Sequence, residues 1–247
     1  IMAHNQQDFT RGPILKSLII FSGPIMLTNL LQTSFQIVDS LWVGNILGAS
    51  ALGAVAVATT ILITVLSFIL GLNNAALTIL SQQYGKKNEA GFRSYLNAFI
   101  VTMTSMALIF GVLGFIFAEQ LLLLIGTPEE LLGQARVYLQ ISFLSMFFLF
   151  AYNFMNTVLR AVGDSKTPLR VVFVAVILNA ALAPVFLIGF GMGIEGAALS
   201  TVASQGIAFL YSVYYSVKHD LIPFTKPTLP SGREVRLIFN LGIPAGL

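Results

Sequence analysis

The segment GPIMLTNLLQTSFQIVDSLWVGN, residues 23–45, places one carboxylate inside a long apolar run. The carboxylate belongs to Asp39, and it is the only charged side chain between Lys16 and Lys86. A charge at the centre of a bilayer helix costs about 2.5 to 3.5 kcal/mol on insertion scales. We therefore expect Asp39 to be present for a function.

The polar neighbours of this acid recur at helical spacing. With successive residues about 100° apart, Asn29, Gln32, Gln36 and Asp39 fall within an arc of about 80°, with Ser40 at its edge. One face of the helix is thus predicted to meet water or protein. The alternative is that these groups only hydrogen-bond neighbouring helices. We favour that alternative for Asn29 and a functional role for Asp39.

The composition is that of an integral membrane protein. Hydrophobic residues make up 56% of the 247 residues and charged residues only 9%, against about 25% charged in soluble domains; the mean hydropathy is +0.86. The net charge of +3 is scattered between apolar runs, so we expect no nucleic-acid partner. The absence of cysteine excludes disulfides and thiolate sites, and His4 and His219 lie outside the apolar runs, so no metal site is predicted.

About 20 apolar residues span the roughly 30 Å hydrocarbon layer. Six such runs fit this chain, and the predicted helices cover 14–46, 52–80, 95–125, 133–159, 170–190 and 196–217. Pro24 and Pro184 each remove a backbone hydrogen bond inside a helix and are predicted kink points. The predicted fold class is all-α: a polytopic membrane protein with a six-transmembrane-helix bundle.

Basic residues predict the orientation. Of thirteen Lys and Arg residues, only Arg136 falls on the side opposite the others, and Arg160 is assigned to the connection after the fourth helix. The positive-inside rule then places the amino terminus in the cytoplasm. We expect a cytoplasmic segment at 1–13, the six-helix lobe at 14–217, a cytoplasmic linker at 218–235 and the start of a further helix at 236–247.

The end of the chain repeats its beginning. RLIFNLGIPAGL at 236–247 has the same offset from Arg236 to Pro244 as KSLIIFSGPIMLTNL at 16–30 has from Lys16 to Pro24. A truncated seventh span of this kind predicts a second six-helix unit, as in transporters built from parallel repeats.

Polar side chains recur in the later helices as well. Asn153, Asn156 and Arg160 share one helical face, Asn179 lies one turn before Ala183, and a further group follows at one-turn spacing in the sixth helix: Ser200, Thr201, Ser204 and Gln205. Together these side chains can line one cavity, while ordinary hydrogen bonds between helices are the simpler interpretation of any single Ser or Thr.

Four ordered segments resemble a known family. They are FQIVDSLWVGNILGASALGAVAVAT from residue 35, SQQYGKKNEAG at 81–91, LRAVGDSKTPLR at 159–170 and GMGIEGAALSTVASQ at 191–205. They look like the first two helices, two cytoplasmic loops and the sixth-helix entry of the amino-terminal half of the multidrug and toxic compound extrusion (MATE) family. The resemblance extends to the branch that includes DNA-damage-inducible protein F.

The resemblance implies one lobe of a twelve-helix transporter that exports drugs against an inward flow of protons or sodium. It assigns cation coupling to Asp39, helix bending to Pro24, and cavity positions to Gln32, Asn179 and Thr201. The helical patterns add Gln36, Asn153 and Asn156 as candidate substrate-binding residues. Many relatives have an aspartate where this chain has Ala183, so a two-carboxylate site is not implied.

We therefore expect a secondary active multidrug exporter of the bacterial inner membrane, working by alternating access. The expected coupling ion is H⁺ rather than Na⁺, the expected substrates are lipophilic organic cations, and the expected partners are the lipid bilayer and a missing carboxyl-terminal lobe or a second copy. No cofactor beyond the coupling ion, no metal and no enzymatic activity are expected.

Other classes fit less well. A flippase for lipid-linked oligosaccharides would share the topology but needs a cationic cavity, whereas Arg and Lys here keep to span ends and loops. An intramembrane hydrolase needs a second catalytic group near Asp39, and the only other acid in the predicted spans is Glu119. A channel or scaffold needs no titratable acid. An ATP-driven pump is improbable without a nucleotide motif.

Overall fold

A computed structural model describes residues 14–223 and 228–246 of the chain. Within these residues the chain forms eight α-helices and one π-helical turn. They are α1 (Ile14–Leu47), α2 (Ala49–Gly85), α3 (Glu89–Leu124), α4 (Glu129–Leu144), α5 (Met146–Ala161), α6 (Lys166–Pro184), the π-turn (Val185–Gly189), α7 (Ile194–Lys218) and α8 (Gly232–Gly246).

Five of the described helices are long and apolar enough to cross a membrane, and the bent pair α4–α5 makes a sixth when it is counted as one span. The prediction of an all-α, multi-pass bundle is therefore confirmed. Because successive spans run in opposite directions, the α1–α2 and α3–α4 connections lie at one end of the bundle. The α2–α3 and α5–α6 connections lie at the other, which we call the basic end.

The predicted fourth helix is not continuous. Instead of one helix over 133–159, α4 and α5 meet at Ser145 with a bend of 54°. The Ser145 hydroxyl donates to the carbonyl of Ile141, four residues earlier, at 2.6 Å. Side-chain bonds of this kind compete with the backbone ladder and bend helices. The prediction of one continuous helix was wrong because Ser145 lies among apolar residues, where the hydrophobic pattern gives no sign of a break.

α6 begins at Lys166, four residues before its predicted start. The carboxylate of Asp164 accepts hydrogen bonds from the backbone N–H groups of Lys166 and Thr167, each at 3.0 Å. It also accepts one from the Thr167 hydroxyl at 2.5 Å. These contacts satisfy N–H groups that the first turn of a helix leaves free, so Asp164 is buried for a structural reason.

The two prolines inside helices differ in their local effect. Pro184 is followed directly by the π-turn, in agreement with the break predicted there. α1 passes through Pro24 without interruption, and the Thr28 hydroxyl donates to the Pro24 carbonyl at 2.7 Å. The bending role of Pro24 stays a prediction.

α2 lies at the centre of the lobe, where it packs against α1, α3, α4, α5 and α8. α3 comes close to the α4–α5 bend through two glycines. A Cβ added to Gly111 would lie 2.9 Å from the carbonyl oxygen of Phe143, and one added to Gly114 would occupy the place of the Phe143 ring. This close approach requires residues without side chains.

α8 begins at Gly232, four residues before the predicted 236, and packs mainly along α2. A Cβ on Gly242 would lie 2.7 Å from Leu72 Cδ2, and Ile238 is fully buried. The preceding linker is held by Asn97 of α3. Its amide nitrogen donates to the Thr228 carbonyl at 2.6 Å, and its amide oxygen accepts from the Thr228 backbone N–H at 2.8 Å.

Gly111→Ala is expected to destabilise the lobe, by about 1 to 3 kcal/mol, because the new methyl group meets backbone that cannot turn aside. Gly133→Ala is the matched control, since a Cβ at Gly133 meets nothing within 4 Å and gains helix propensity. Thermal unfolding of the purified chain in detergent measures both. An unchanged or raised midpoint for Gly111→Ala would contradict the close packing.

Candidate functional site

Asp39 lies in an enclosed cluster formed by three helices. Its carboxylate Oδ1 accepts from the Asn179 amide of α6 at 3.4 Å and from the Thr201 hydroxyl of α7 at 3.3 Å. Asp39 is 8% exposed and Asn179 fully buried. The acid therefore faces protein rather than lipid, and both hydrogen bonds are longer than usual. We call these three residues the acid cluster.

Small side chains allow the helices of this cluster to approach. α1 packs against α6, and α6 packs against α7. Buried Ala183 on α6 and buried Ala197 and Ser200 on α7 leave room between the backbones. The packing of these helices thus brings an acid on one helix within reach of an amide and a hydroxyl on two others.

The acid cluster has two possible hydrogen-bond arrangements. The Thr201 hydroxyl also lies 3.2 Å from the Ala197 carbonyl, and its single hydrogen serves one acceptor at a time. Asn179 Oδ1 is buried and has no hydrogen-bond partner among the described residues. The cluster therefore holds a free acceptor beside the carboxylate.

Tyr138 of α4 also belongs to the surroundings of Asp39. It is buried and lies near enough to Asp39 for the two ionisable groups to interact. Tyr138 was not predicted, because the local sequence does not distinguish a tyrosine that lies near an acid from one that only packs in the core. The α4–α5 bend comes seven residues later in the chain.

A second polar site lies nearer the basic end, between α1, α2 and α5. It is a cavity of about 120 Å³, which we call the amide pocket. Its polar lining consists of five amides, one hydroxyl and one guanidinium: Asn29, Gln32, Asn73, Asn74, Asn153, Thr157 and Arg160.

The predicted cavity residues divide between these two places. Asn179 and Thr201 lie at Asp39, whereas Gln32 and Asn153 line the amide pocket. The seven residues from Gln32 to Asp39 correspond to about 10 Å of helical rise. The sequence predicted a single cavity, but the structure has two separate polar sites along α1.

Two other predicted cavity residues lie outside both linings. Asn156 is 1% exposed and lies beside the amide pocket, near the Tyr152 hydroxyl, but neither of its amide atoms reaches hydrogen-bond geometry with a described residue. Gln36 is exposed on α1.

Arg160 requires a correction. Its assignment to the connection after the fourth helix is wrong, because Arg160 belongs to the last turn of α5, on the helical face that it shares with Asn153, and lines the amide pocket. The sequence analysis also missed Asn73 and Asn74. Their signal was available, because two adjacent amides interrupt the apolar run LGLNNAAL at 70–77.

Exposed polar side chains continue along α1 and α2. On α1 they are Asn29, Thr33, Gln36 and Ser40, which we call the α1 stripe; on α2 they are Thr60, Thr64, Asn74 and Thr78. The spacings of three, four and ten residues place each set along one side of its helix. A polar stripe of this length is unsuited to lipid contact.

Known proteins are similar to this chain in sequence and in fold. The MatE family profile matches residues 24–185. The chain is 60% identical over 240 residues to the Probable multidrug resistance protein YpnP of Bacillus subtilis, covering 97% of this chain and 54% of that protein. It is 33% identical over 251 residues to the Probable multidrug resistance protein YoeA of the same organism, covering 98% and 54%.

A crystal structure of a MATE protein in the bent conformation has the same fold, with a TM-score of 0.86 at 22% identity, covering 95% of this chain and 53% of that one. The chain thus spans about half the length of the relatives it matches. Its helical bundle, its similarity to proteins named for multidrug resistance and the profile match over residues 24–185 together show that the chain belongs to the MatE family of multidrug transporters.

Proposed function

We propose that the chain forms one lobe of a secondary active multidrug exporter that couples efflux of lipophilic cations to inward movement of H⁺ through Asp39. The observation that carries this proposal is the acid cluster. It buries a lone carboxylate within the spans and surrounds it with neutral hydrogen-bonding groups, so that no fixed cation holds it in the charged state.

Both protonation states of Asp39 find partners in this cluster. The carboxylate accepts from Asn179 and Thr201. A protonated Asp39 has an O–H to donate, and the amide oxygen of Asn179 has no other partner among the described residues. Thr201 can meanwhile return its hydrogen to Ala197. Proton binding therefore changes which helices are linked, while few buried polar groups lose a partner.

Coupling requires that the proton and the drug favour different conformations of the carrier. α1 is suited to respond, because it carries Asp39 and has few buried residues. Pro24 removes one backbone bond from the same helix. We infer that protonation of Asp39 alters the contacts of α1 with α6 and α7, and that α1 bends at Pro24.

H⁺ is favoured over Na⁺ because the acid cluster contains a single carboxylate. Ala183 is fully buried at the place where many relatives have a second acid, so it adds no oxygen ligand. A dehydrated metal cation needs several oxygens, whereas a proton needs one carboxylate and one acceptor.

A second lobe is proposed to cover the α1 stripe. The stripe is exposed on the described chain, and the chain spans about half the length of its relatives. A carboxyl-terminal lobe, or a second copy in its place, would enclose a water-filled cleft against the stripe. The membrane is then the bacterial inner membrane, with the basic end in the cytoplasm.

The flippase alternative depends on a cationic cavity for a pyrophosphate. The amide pocket contains one cation, Arg160, among neutral side chains. One guanidinium matches one anionic group better than a pyrophosphate, so the exporter remains the favoured function.

Asp39→Asn is expected to reduce pH-gradient-driven efflux of an organic cation at least tenfold, because the amide takes up no proton. Efflux of ethidium from everted vesicles that hold the chain with its second lobe measures this under separately imposed H⁺ and Na⁺ gradients. Glu119→Gln is the control, since Glu119 pairs with Arg136 at 2.6 Å on the surface. Full activity of Asp39→Asn, or a response to Na⁺ alone, would refute the proposal.

Cysteine accessibility tests the wet cleft, because the chain has no cysteine of its own. Gln36→Cys is expected to react with a membrane-impermeant maleimide, since Gln36 belongs to the α1 stripe. Ile37→Cys is the matched control from the adjacent position, where the side chain is 54% exposed on an apolar face. We expect at least tenfold slower labelling there. Equal rates would mean that the stripe faces lipid or is covered by protein.

A further inference from the structure

Arg160 is a half-buried cation without a counter-ion among the described residues. Its Nε donates to the backbone carbonyl of Asn156 at 3.3 Å. The acid closest in sequence, Asp164, is occupied by Lys166 and Thr167. The outer N–H groups of the guanidinium therefore remain available to the amide pocket, which Arg160 lines.

Two amides at the same place also lack partners. Asn73 lines the pocket and is 5% exposed, and its Oδ1 has no hydrogen bond among the described residues. Asn156 lies beside the pocket at 1% exposure, near the Tyr152 hydroxyl, and neither of its amide atoms reaches hydrogen-bond geometry with a described residue. A buried polar atom without a hydrogen-bond partner has lost its water and gained nothing in return, so such atoms call for an explanation. A bound polar group supplies one.

The charge of the pocket selects that group. Among the described residues no acid lines the pocket, and Arg160 is the only ionisable residue in its lining. A guanidinium pairs with a carboxylate through two parallel hydrogen bonds. The surrounding Asn and Gln side chains offer N–H donors, and each amide presents either nitrogen or oxygen by turning over. A cationic group would instead be repelled here.

The size of the pocket limits what enters it. A volume of about 120 Å³ corresponds to roughly four water molecules in the liquid. This accommodates a small ionic group and its first atoms, while the body of a drug-sized molecule stays outside, where the α1 stripe begins.

We propose that the amide pocket binds the carboxylate of an organic amphiphile, with Arg160 as its counter-charge. The part of this statement that concerns export rests on the proposed function: the compounds carried would include zwitterions and organic anions as well as cations. Binding itself requires only α1, α2 and α5, all of which lie in this chain. The acid cluster and the amide pocket then offer opposite charges along one helix.

Equilibrium binding to the purified chain in detergent tests the site without any gradient. Dansylglycine and dansylglycinamide are matched probes that differ in the carboxylate. We expect the chain to bind dansylglycine at least tenfold more tightly, with a preference that weakens as salt is raised. This measurement needs no variant, and equal affinities would overturn the proposal.

Variants locate the preference. Arg160→Gln is expected to abolish the dansylglycine preference, while Arg160→Lys retains part of it, because lysine keeps the charge and loses the paired geometry. Arg136→Gln removes an arginine from the opposite end of the bundle, where it pairs with Glu119, and should leave the preference unchanged. A preference that survives Arg160→Gln would place the anion elsewhere.

A competition experiment distinguishes a carboxylate ligand of the amide pocket from a lipid headgroup. Dihexanoyl phosphatidylglycerol should displace dansylglycine only weakly. Displacement at lower concentration than unlabelled carboxylates require would identify a phosphate headgroup as the occupant and refute the assignment. Because no efflux is measured, failure here leaves Asp39 coupling intact, and failure of Asp39→Asn in the efflux assay leaves this site untouched.

Discussion

The structure depends on the need of one buried carboxylate for hydrogen-bond donors. Asp39 is 8% exposed and is the only charged residue between Lys16 and Lys86. When a charge is buried, leaving it without hydrogen-bond partners costs far more free energy than pairing it with even weak hydrogen bonds. The contacts from Asn179 and Thr201 therefore link α1 to α6 and α7, and we expect a change in the charge of Asp39 to act on how these helices pack.

α1 is the element most exposed to such a change. In its described part only Thr28, Asp39 and Val43 are buried, whereas α2 has buried residues along most of its length. A helix with little apolar burial in its own lobe is positioned by its polar contacts and by what lies on its other side. The same feature leaves the α1 stripe exposed on the described chain.

The two polar sites divide the charges of the lobe. The acid cluster places a carboxylate toward one end of α1, and the amide pocket places Arg160 toward the basic end. About 10 Å of helix separates Gln32 from Asp39, so each site keeps its own electrostatic character. The two proposals together imply a carrier that distinguishes its substrates by the position of their charges as well as by hydrophobicity.

The sequence by itself determined the fold class and the number of apolar spans, and it drew attention to Asp39, because hydrophobic length and an isolated charge are properties of a single helix. Tertiary structure decided the rest. The bend at Ser145, the meeting of Asp39 with Asn179 and Thr201, and the separation of the amide pocket all depend on how helices distant in sequence pack. Helical periodicity gives the face on which a side chain lies. Only packing decides which neighbour that face meets. Arg160 is an example, because it lines the amide pocket instead of lying in a loop.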